Sequence, residues 1–459
     1  MPERISPELL AERSAWAIGA AMASGRADPV ALTGHLLERI AAQTSPVFLA
    51  VTGDRALREA KAAWDRLAAG RPLSALDGVP IAWKDLIDMA GETTTAGSET
   101  LRNAPPKARD ATVVSRAAMA GMISLGKLNL TEFAYSGIGL NPHFGTPVNP
   151  NTATACAPGG SSSGSGVAVA AGLAPVAAGT DTGGSVRVPA AFNGVVGYKS
   201  SEGRIEKQGV FDLSPTLDTV GPLARSVLDC VLVDAVFRGV PVPSVRRRPV
   251  AGMSIIVPET LVFDDLDPAV AENFEASISR LAQAGAAVTR RPLPAFAKAF
   301  DQMGALGTIT AAEAYVTHRA LMDGPDRARI DRRVAARIEP GSRMSAADIL
   351  TVQQTRLVAI ETLRAELGGA FLAYPTAPHT APEIAPLEAD DSVFHAMNLK
   401  SLRNTMMGNY FDLPGLAIPN GRDARGLPTS FLLSASGGQD EALLGAGLGA
   451  ESVIRGDGF

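Results

Sequence analysis

The sequence predicts an α/β protein, a mixed central β-sheet covered by helices on both faces, and three observations carry that expectation. Helical and strand-like patterns alternate along a chain of 459 residues, with no internal repeat and no low-complexity linker. The stretch from Val167 to Gly179 contains only Ala, Val, Leu, Pro and Gly, which reads as a buried helix returning into a buried strand. Two glycine-rich, hydroxyl-bearing turns bracket it, Gly159 to Gly166 and Asp181 to Ser185. Both turns are therefore expected to open onto one site.

Taken in order, Ser6 before Pro7 and Asp28 before Pro29 place a capping side chain ahead of a proline at the first helical position, so a helix starts at each. Val47 to Thr52 reads as a strand and Asp54 to Ala69 as a charged amphipathic helix. Val79 to Trp83 is an apolar strand with Lys84 at its end. Continued alternation would point Lys84 to the face opposite Trp83 and Asp85, so neither neighbour could pair with it. Ala111 to Ala120 is helical and Met122 to Gly126 a short strand, whereas Asn151 to Pro158 reads as a loop. Further on, Ser254 to Val257, Ala287 to Thr289 and Phe371 to Tyr374 read as short strands. Ser345 and Asp348 form a capping box that opens a helix to about Leu367.

Composition excludes several functions. The net charge is −5, and the basic residues are dispersed apart from Arg246-Arg247-Arg248 before Pro249, so no basic stripe serves nucleic acid. No run approaches the roughly 18 apolar residues that span a bilayer, and Met1 to Ile5 leads into a polar helix without the apolar core of a signal peptide. Two cysteines, Cys156 and Cys230, are too few for a disulfide framework and point to a reducing compartment, hence the cytoplasm. His35, His143, His318, His379 and His395 show no metal-binding spacing, so neither a metal nor a cofactor is expected.

The serine turns hold the chemistry. Their glycines let backbone N–H groups approach a ligand closely, and a serine in that setting is a candidate nucleophile. A lysine buried away from carboxylates loses its charge readily, which makes Lys84 a candidate base. A rival pattern overlaps: Gly160-Ser161-Ser162-Ser163-Gly164 fits Gly-x-Ser-x-Gly, with Ser162 as nucleophile and His318, His379 or His395 as base, but that elbow must follow a strand. A phosphate-cradling loop would need a lysine after the glycines, and none is there.

Together these motifs resemble the amidase signature family, serine hydrolases that use a Ser-cisSer-Lys triad. Lys84 matches the family's lysine, Ser161 its serine after a cis peptide, and Ser185 its acylated nucleophile, 24 residues beyond Ser161. Asn129, Glu132-Phe133-Ala134, Asn149-Pro150, Leu217-Asp218-Thr219, Asn409 and Leu413-Pro414-Gly415 extend the likeness. It runs from about Leu76 to Leu433 and thins between roughly 245 and 370. Ser200 after Gly197-Tyr198-Lys199, and Thr429-Ser430-Phe431 after Leu427-Pro428, depart from the family pattern.

Where length alone suggests two or three domains, the resemblance implies one, spanning 1–459 in an amidase-signature fold, with segment 245–370 variable and pocket-forming. It implies that Ser185 attacks the carbonyl of a small-molecule amide, ester or carbamate while Ser161 relays the proton to neutral Lys84. Backbone N–H groups of Thr182, Gly183 and Gly184, and of Ser185 as a further donor, are expected to form the oxyanion hole. Ser162, Asp181 and Arg187 are expected to support the loops. Lining residues are expected among Phe296, Phe300, Met303, Leu306 and Tyr315 and around Phe133 and Tyr135. A homodimer is compatible with these readings. The alternative inside the family is the glutaminase component of an aminoacyl-tRNA amidotransferase complex.

Overall fold

The computed structural model describes residues 4–456, so the first residues of the N-terminal stretch discussed above lie outside it. Eleven strands form one sheet. They are β1 (Phe48–Val51), β2 (Pro80–Lys84), β3 (Ile123–Leu128), β4 (Val176–Asp181), β5 (Val196–Lys199), β6 (Thr219–Ala224), β7 (Ser254–Pro258), β8 (Ala287–Arg291), β9 (Phe371–Pro375), β10 (Gly415–Arg422) and β11 (Pro428–Ser434). Their order is β1-β3-β2-β4-β6-β5-β10-β11-β9-β7-β8.

The sheet is mixed for a topological reason. β2 pairs parallel with β3 and β4, and β7 parallel with β8 and β9, because helices join those strands as crossovers. The middle, from β4 through β6, β5, β10 and β11 to β9, is antiparallel throughout. Helices cover both faces. Gly415 of β10 lies against Arg187 of the helix Arg187–Asn193, while the next residue, Leu416, lies against Gly447 of the helix Asp440–Arg455.

Local rules place most elements. Ser6 caps Pro7–Ala11 and Asp28 caps Pro29–Ala41, each accepting from backbone N–H groups of the first turn. The helix expected from Asp54 runs Gly53–Ala68, that from Ala111 runs Thr112–Met119, and the capping box at Ser345 opens Ala346–Leu367. The apolar bridge after the first serine turn is the helix Ser163–Ala170 followed by β4, buried almost throughout. Seven of the strands coincide with expected strand segments; β5, β6, β10 and β11 had no specific expectation. β6 contains Gly221-Pro222 and β10 contains Pro419-Asn420-Gly421, which read as turn signals in a sequence. In β10 the irregularity is absorbed by a register shift between Pro419 and Gly421.

A second apolar cluster packs beneath the β9–β11 end of the sheet around Phe296, Tyr374 and Phe411. Phe296 is fully buried, stacked on Phe411 with ring centroids 5.5 Å apart and edge-on to Tyr374 at 6.1 Å. Phe296→Ala is expected to lower unfolding stability by about 3–5 kcal/mol. Chemical denaturation followed by circular dichroism measures it, and a loss below about 1 kcal/mol would show that the ring is not a core residue.

Candidate active site

Lys84 ends β2 and is fully buried. Its Nζ donates to Ser161 Oγ at 2.6 Å and to Thr180 Oγ1 at 2.8 Å. Strand alternation sends its neighbours elsewhere, as the sequence requires. Trp83 packs against Phe237 and donates to Ser124 Oγ, while Asp85 is ion-paired with Lys127 at 2.8 Å. Among the described residues no carboxylate lies within ion-pairing distance of Lys84. Burial therefore dominates and pulls its pKa down to about 7, against the weaker opposing charges of Asp218 and Asp181.

The Gly160–Ser161 peptide is cis. Ser161 itself is fully buried, and its carbonyl accepts from Thr131 N at 3.1 Å. Ser162 ties the two serine turns together: its N–H donates to Ser185 O at 3.3 Å and its Oγ to Thr180 O at 3.3 Å. That arrangement overturns the nucleophile-elbow reading of Ser162. Residues 151–158 form no strand, only a bridge between Cys156 and Glu383, and the Ser162 hydroxyl is buried and already donating. Nor does a histidine serve it. His318 packs against Phe133 with ring centroids 4.0 Å apart, His379 contacts Thr380 O and Ser401 Oγ, and no hydrogen bond joins His395 to Ser162 among the described residues.

The second turn is held from behind by Asp181, whose carboxylate accepts from Gly184 N at 2.9 Å, Val186 N at 3.1 Å and Arg187 Nε and Nη2 at 3.0 and 2.9 Å. Burial alone would raise the pKa of this carboxyl, but the Arg187 guanidinium and the Asn409 amide hold it well below the usual range. Asn409 bridges the pair, accepting from Arg187 at 2.6 Å and donating to Asp181 at 3.0 Å.

This corrects one expected donor. Gly184 N–H is committed to Asp181, and a side chain at this φ of 136° would collide with Thr405, so its glycine serves the turn and not the oxyanion. The N–H groups of Thr182, Gly183 and Ser185 have no acceptor among the described residues, and these same three residues line a cavity. Thr182 Oγ1 donates to Asp218, which also accepts from Leu213 N at 2.9 Å and Ser214 N at 3.0 Å. Burial pushes the Asp218 carboxyl up to about 6, with the Thr182 hydrogen bond acting the other way.

Ser185 is 5% exposed, lines the cavity, and its Oγ makes no hydrogen bond among the described residues. Of the seven residues expected to line the pocket, Met303 and Tyr135 do so. Phe296 and Phe300 belong to the second core, and Phe133 and Tyr315 to the cluster around Val334 and Ile338. Leu306 packs beside Leu217 and Val352, behind the cavity wall. Sequence reasoning missed Thr180 and Arg337. Thr180 sits in the Gly179-to-Ser185 run and alternation could have found it, whereas nothing in the local sequence marks Arg337.

The family described as Amidase matches residues 31–444. The chain belongs to the amidase family. It is 36% identical to a 2-amino-5-chloromuconic acid deaminase of Comamonas testosteroni, over 88% of this chain and 87% of that one. To the A-type component of the glutamyl-tRNA(Gln) amidotransferase of Thermobifida fusca it is 34% identical, over 97% and 96% of the two chains. A crystal structure of an amidase superimposes with a TM-score of 0.82 at 28% identity, covering 96% of this chain and 100% of the other. The protein is thus an amidase-family hydrolase acting on carbon–nitrogen bonds. No helix among the described residues is long and apolar enough to cross a membrane.

The Asp181–Arg187 pair is fully buried on both sides. Arg187→Met leaves a buried carboxylate without its cation, which is expected to cost about 3–5 kcal/mol of stability. Denaturant unfolding at neutral pH measures this, and a variant as stable as the parent would remove Arg187 from the scaffold of the loop.

Proposed function

We propose that this amidase hydrolyses small-molecule amides through an acyl-enzyme on Ser185, with Ser161 as proton relay and Lys84 as base. What carries the reading is the fully buried Lys84 Nζ, 2.6 Å from Ser161 Oγ and kept near neutrality by burial. An amide is a poor electrophile with a poor leaving group. It needs an activated nucleophile, a stabilised oxyanion and a proton for the departing amine.

Ser185 Oγ attacks the carbonyl carbon, and its proton passes to Ser161 Oγ as the Ser161 proton passes to neutral Lys84. Rotation of the unbonded Ser185 hydroxyl toward Ser161 completes the relay when substrate fills the cavity. The oxyanion accepts from N–H groups of the Thr182, Gly183 and Ser185 set, each such donor being worth roughly 3–4 kcal/mol of barrier. The same relay run backwards protonates the amine. Water then attacks the ester by the same route. Aryl esters and carbamates fit the chemistry as well, since their leaving groups need less protonation.

The amidotransferase relatives favour a second reading, a glutaminase that works within an amidotransferase complex. Size-exclusion chromatography of the native protein together with glutamine hydrolysis by the isolated chain separates the two. An isolated chain that hydrolyses simple amides but not glutamine supports the stand-alone enzyme, and one active only within a complex supports the other.

Ser185→Ala is expected to abolish turnover and fluorophosphonate labelling, whereas Ser162→Ala retains labelling. Loss of the label in Ser162→Ala alone, in a folded variant, would sink the assignment. The pH profile tests the base. Lys84 must be neutral to accept a proton, and with a pKa of about 7 its neutral fraction rises from roughly 10% at pH 6 to roughly 90% at pH 8. kcat/KM is therefore expected to rise through pH 7 and hold in the alkaline range, while Lys84→Ala loses several orders of magnitude on amides and less on esters. Activity that falls as pH rises through 7, or near-normal amide turnover without Lys84, contradicts this base.

A further inference from the structure

The helix Asp391–Tyr410 carries two side chains of the proposed site in its last turn: Asn409, which clamps Asp181 and Arg187, and Tyr410, which lines the cavity. The end of a helix is held least by its own bonds, because the last four carbonyls lack donors within it. Here the chain also turns away at once. Asp412 takes a left-handed φ of 52°, and Pro414, which stands four residues beyond Tyr410, has no N–H to give. Main-chain donors reach Met407 O from Phe411 at 3.0 Å and Gly408 O from Leu413 at 2.7 Å, but Asn409 O only from Asp412 at 3.3 Å. Tyr410 O receives no main-chain donor among the described residues.

Arg356 closes that end from another layer. It is a buried residue of the helix Ala346–Leu367, and its Nε donates to Tyr410 O at 2.7 Å while its Nη2 donates to Asn409 O at 3.2 Å and to the Glu202 carboxylate. A cation at the carbonyl end of a helix also meets the negative pole of its dipole favourably. From Asn409 the path to the second serine turn is short. Its side-chain amide donates to Asp181 at 3.0 Å, and Asp181 accepts from Gly184 N at 2.9 Å. Val352, four residues before Arg356 and on the same face, lines the cavity. One helix thus supplies a wall residue and the clasp behind the turn.

We propose that Arg356 is a positioning residue for the acyl transfer: by capping Asn409 and Tyr410 it holds the Asn409 amide on Asp181, and through Asp181 it holds the turn from Thr182 to Ser185 in register with the oxyanion. The inference rests on the acyl-enzyme reading and adds to it a residue from the segment 245–370, where the likeness to the family thins. A buried ion pair with Glu202 that did nothing else would act on stability alone. The cap acts on the reacting step, because a displacement of about 1 Å remote from the chemistry costs up to roughly 10²-fold in rate.

Saturation kinetics of inactivation by a fluorophosphonate probe read that step whatever amide is the substrate, since the adduct on Ser185 places a phosphoryl oxygen where the oxyanion forms. Arg356→Met is expected to lower the limiting rate about 10–100-fold, the scale of a lost charge-assisted hydrogen bond, with half-saturation within about threefold of the parent's. Arg356→Lys, which keeps charge and donors, is expected to recover about half of that loss on a logarithmic scale. Glu202→Gln, which removes the ion pair but keeps an acceptor, is expected to stay within about threefold of the parent. In an Asn409→Ala background Arg356→Met is expected to add less than about threefold, because both act along one path. Rates are taken per labelled site, so that the folded fraction alone is read, and Arg356→Gln reads the same step should the Met variant not fold. A parent-like rate in Arg356→Met, an equal loss in Glu202→Gln, or a loss that Asn409→Ala leaves undiminished overturns the proposal. Hydrogen exchange followed by mass spectrometry needs no labelling and separates the two readings. Arg356→Met is expected to speed exchange at least about tenfold in peptides covering residues 406–413 and 182–186. If Ser185 of the parent is not labelled yet both peptides exchange faster in the variant, the acyl-enzyme reading fails and the anchoring stands. If Ser185 is labelled and neither rate nor exchange changes, the positioning role fails alone.

Discussion

The site depends on a lysine being kept away from every carboxylate that could pair with it. Lys84 is buried beside an aspartate in sequence and near two others in space, and each is occupied by something else. Asp85 is bound to Lys127, Asp181 to Arg187, and Asp218 to Thr182 and two main-chain N–H groups. If one of them reached Nζ, the ion pair would hold the ammonium charged and deny the proposed mechanism its base. What Lys84 meets instead is two hydroxyls, which stabilise either protonation state and pass a proton in either direction. The surrounding ion pairs thus set the state of the lysine, because they keep negative charge at a distance.

The same division shapes the second turn. Asp181 draws Gly184 N–H inward together with the Arg187 side chain, whereas the N–H groups of Thr182, Gly183 and Ser185, three residues that line the cavity, have no acceptor among the described residues. If these N–H groups serve as the proposed oxyanion donors, such a loop holds them in place before the charge develops, so little reorganisation is needed. Thr405 Oγ1 donates to Gly183 O at 2.7 Å and Asn409 clamps Asp181 and Arg187, both from the helix Asp391–Tyr410. A helix far along the chain therefore fixes the geometry of a turn some 220 residues earlier.

The sequence made the strands near Lys84 and Ser185 legible because those strands are apolar, short and bounded by glycine. It made the two serine turns legible because few other compositions let the backbone approach a neighbouring group so closely. It did not reveal β5, β6, β10 and β11, whose prolines and glycines mimic turns, nor which side chains reach the cavity. Phe296 and Met303 lie seven residues apart on one helix, Pro294–Leu306, yet the first is core and the second lines the cavity. Hydrophobicity cannot separate those fates, since residues seven apart share one face of the helix and Met303 also packs against the cluster that holds Phe296, so only position along that face distinguishes them. Gly184 was misread for a related reason. Its glycine signals a close approach, and only the structure shows that the approach is to Thr405 and Asp181 instead of to a ligand.

The reacting groups and the cavity wall come from different parts of the architecture. Lys84, Thr180 and Asp181 sit on strands inside the sheet, where any shift disturbs neighbours on both sides. Met303, Thr308, Ile309, Arg337 and Val352 come from helices and connections outside it. These two parts meet through hydrogen bonds at several places, among them Arg337 to Tyr135 O, Arg356 to Asn409 O, and the turn where Glu313 of the helix Ile309–Met322 accepts from Ser214 and Thr216 while Asp218 accepts from Thr182. Under the proposed mechanism the groups that move protons thus lie on the sheet and most of the cavity wall lies outside it, with the turn between Leu213 and Asp218 as one of the places that join them.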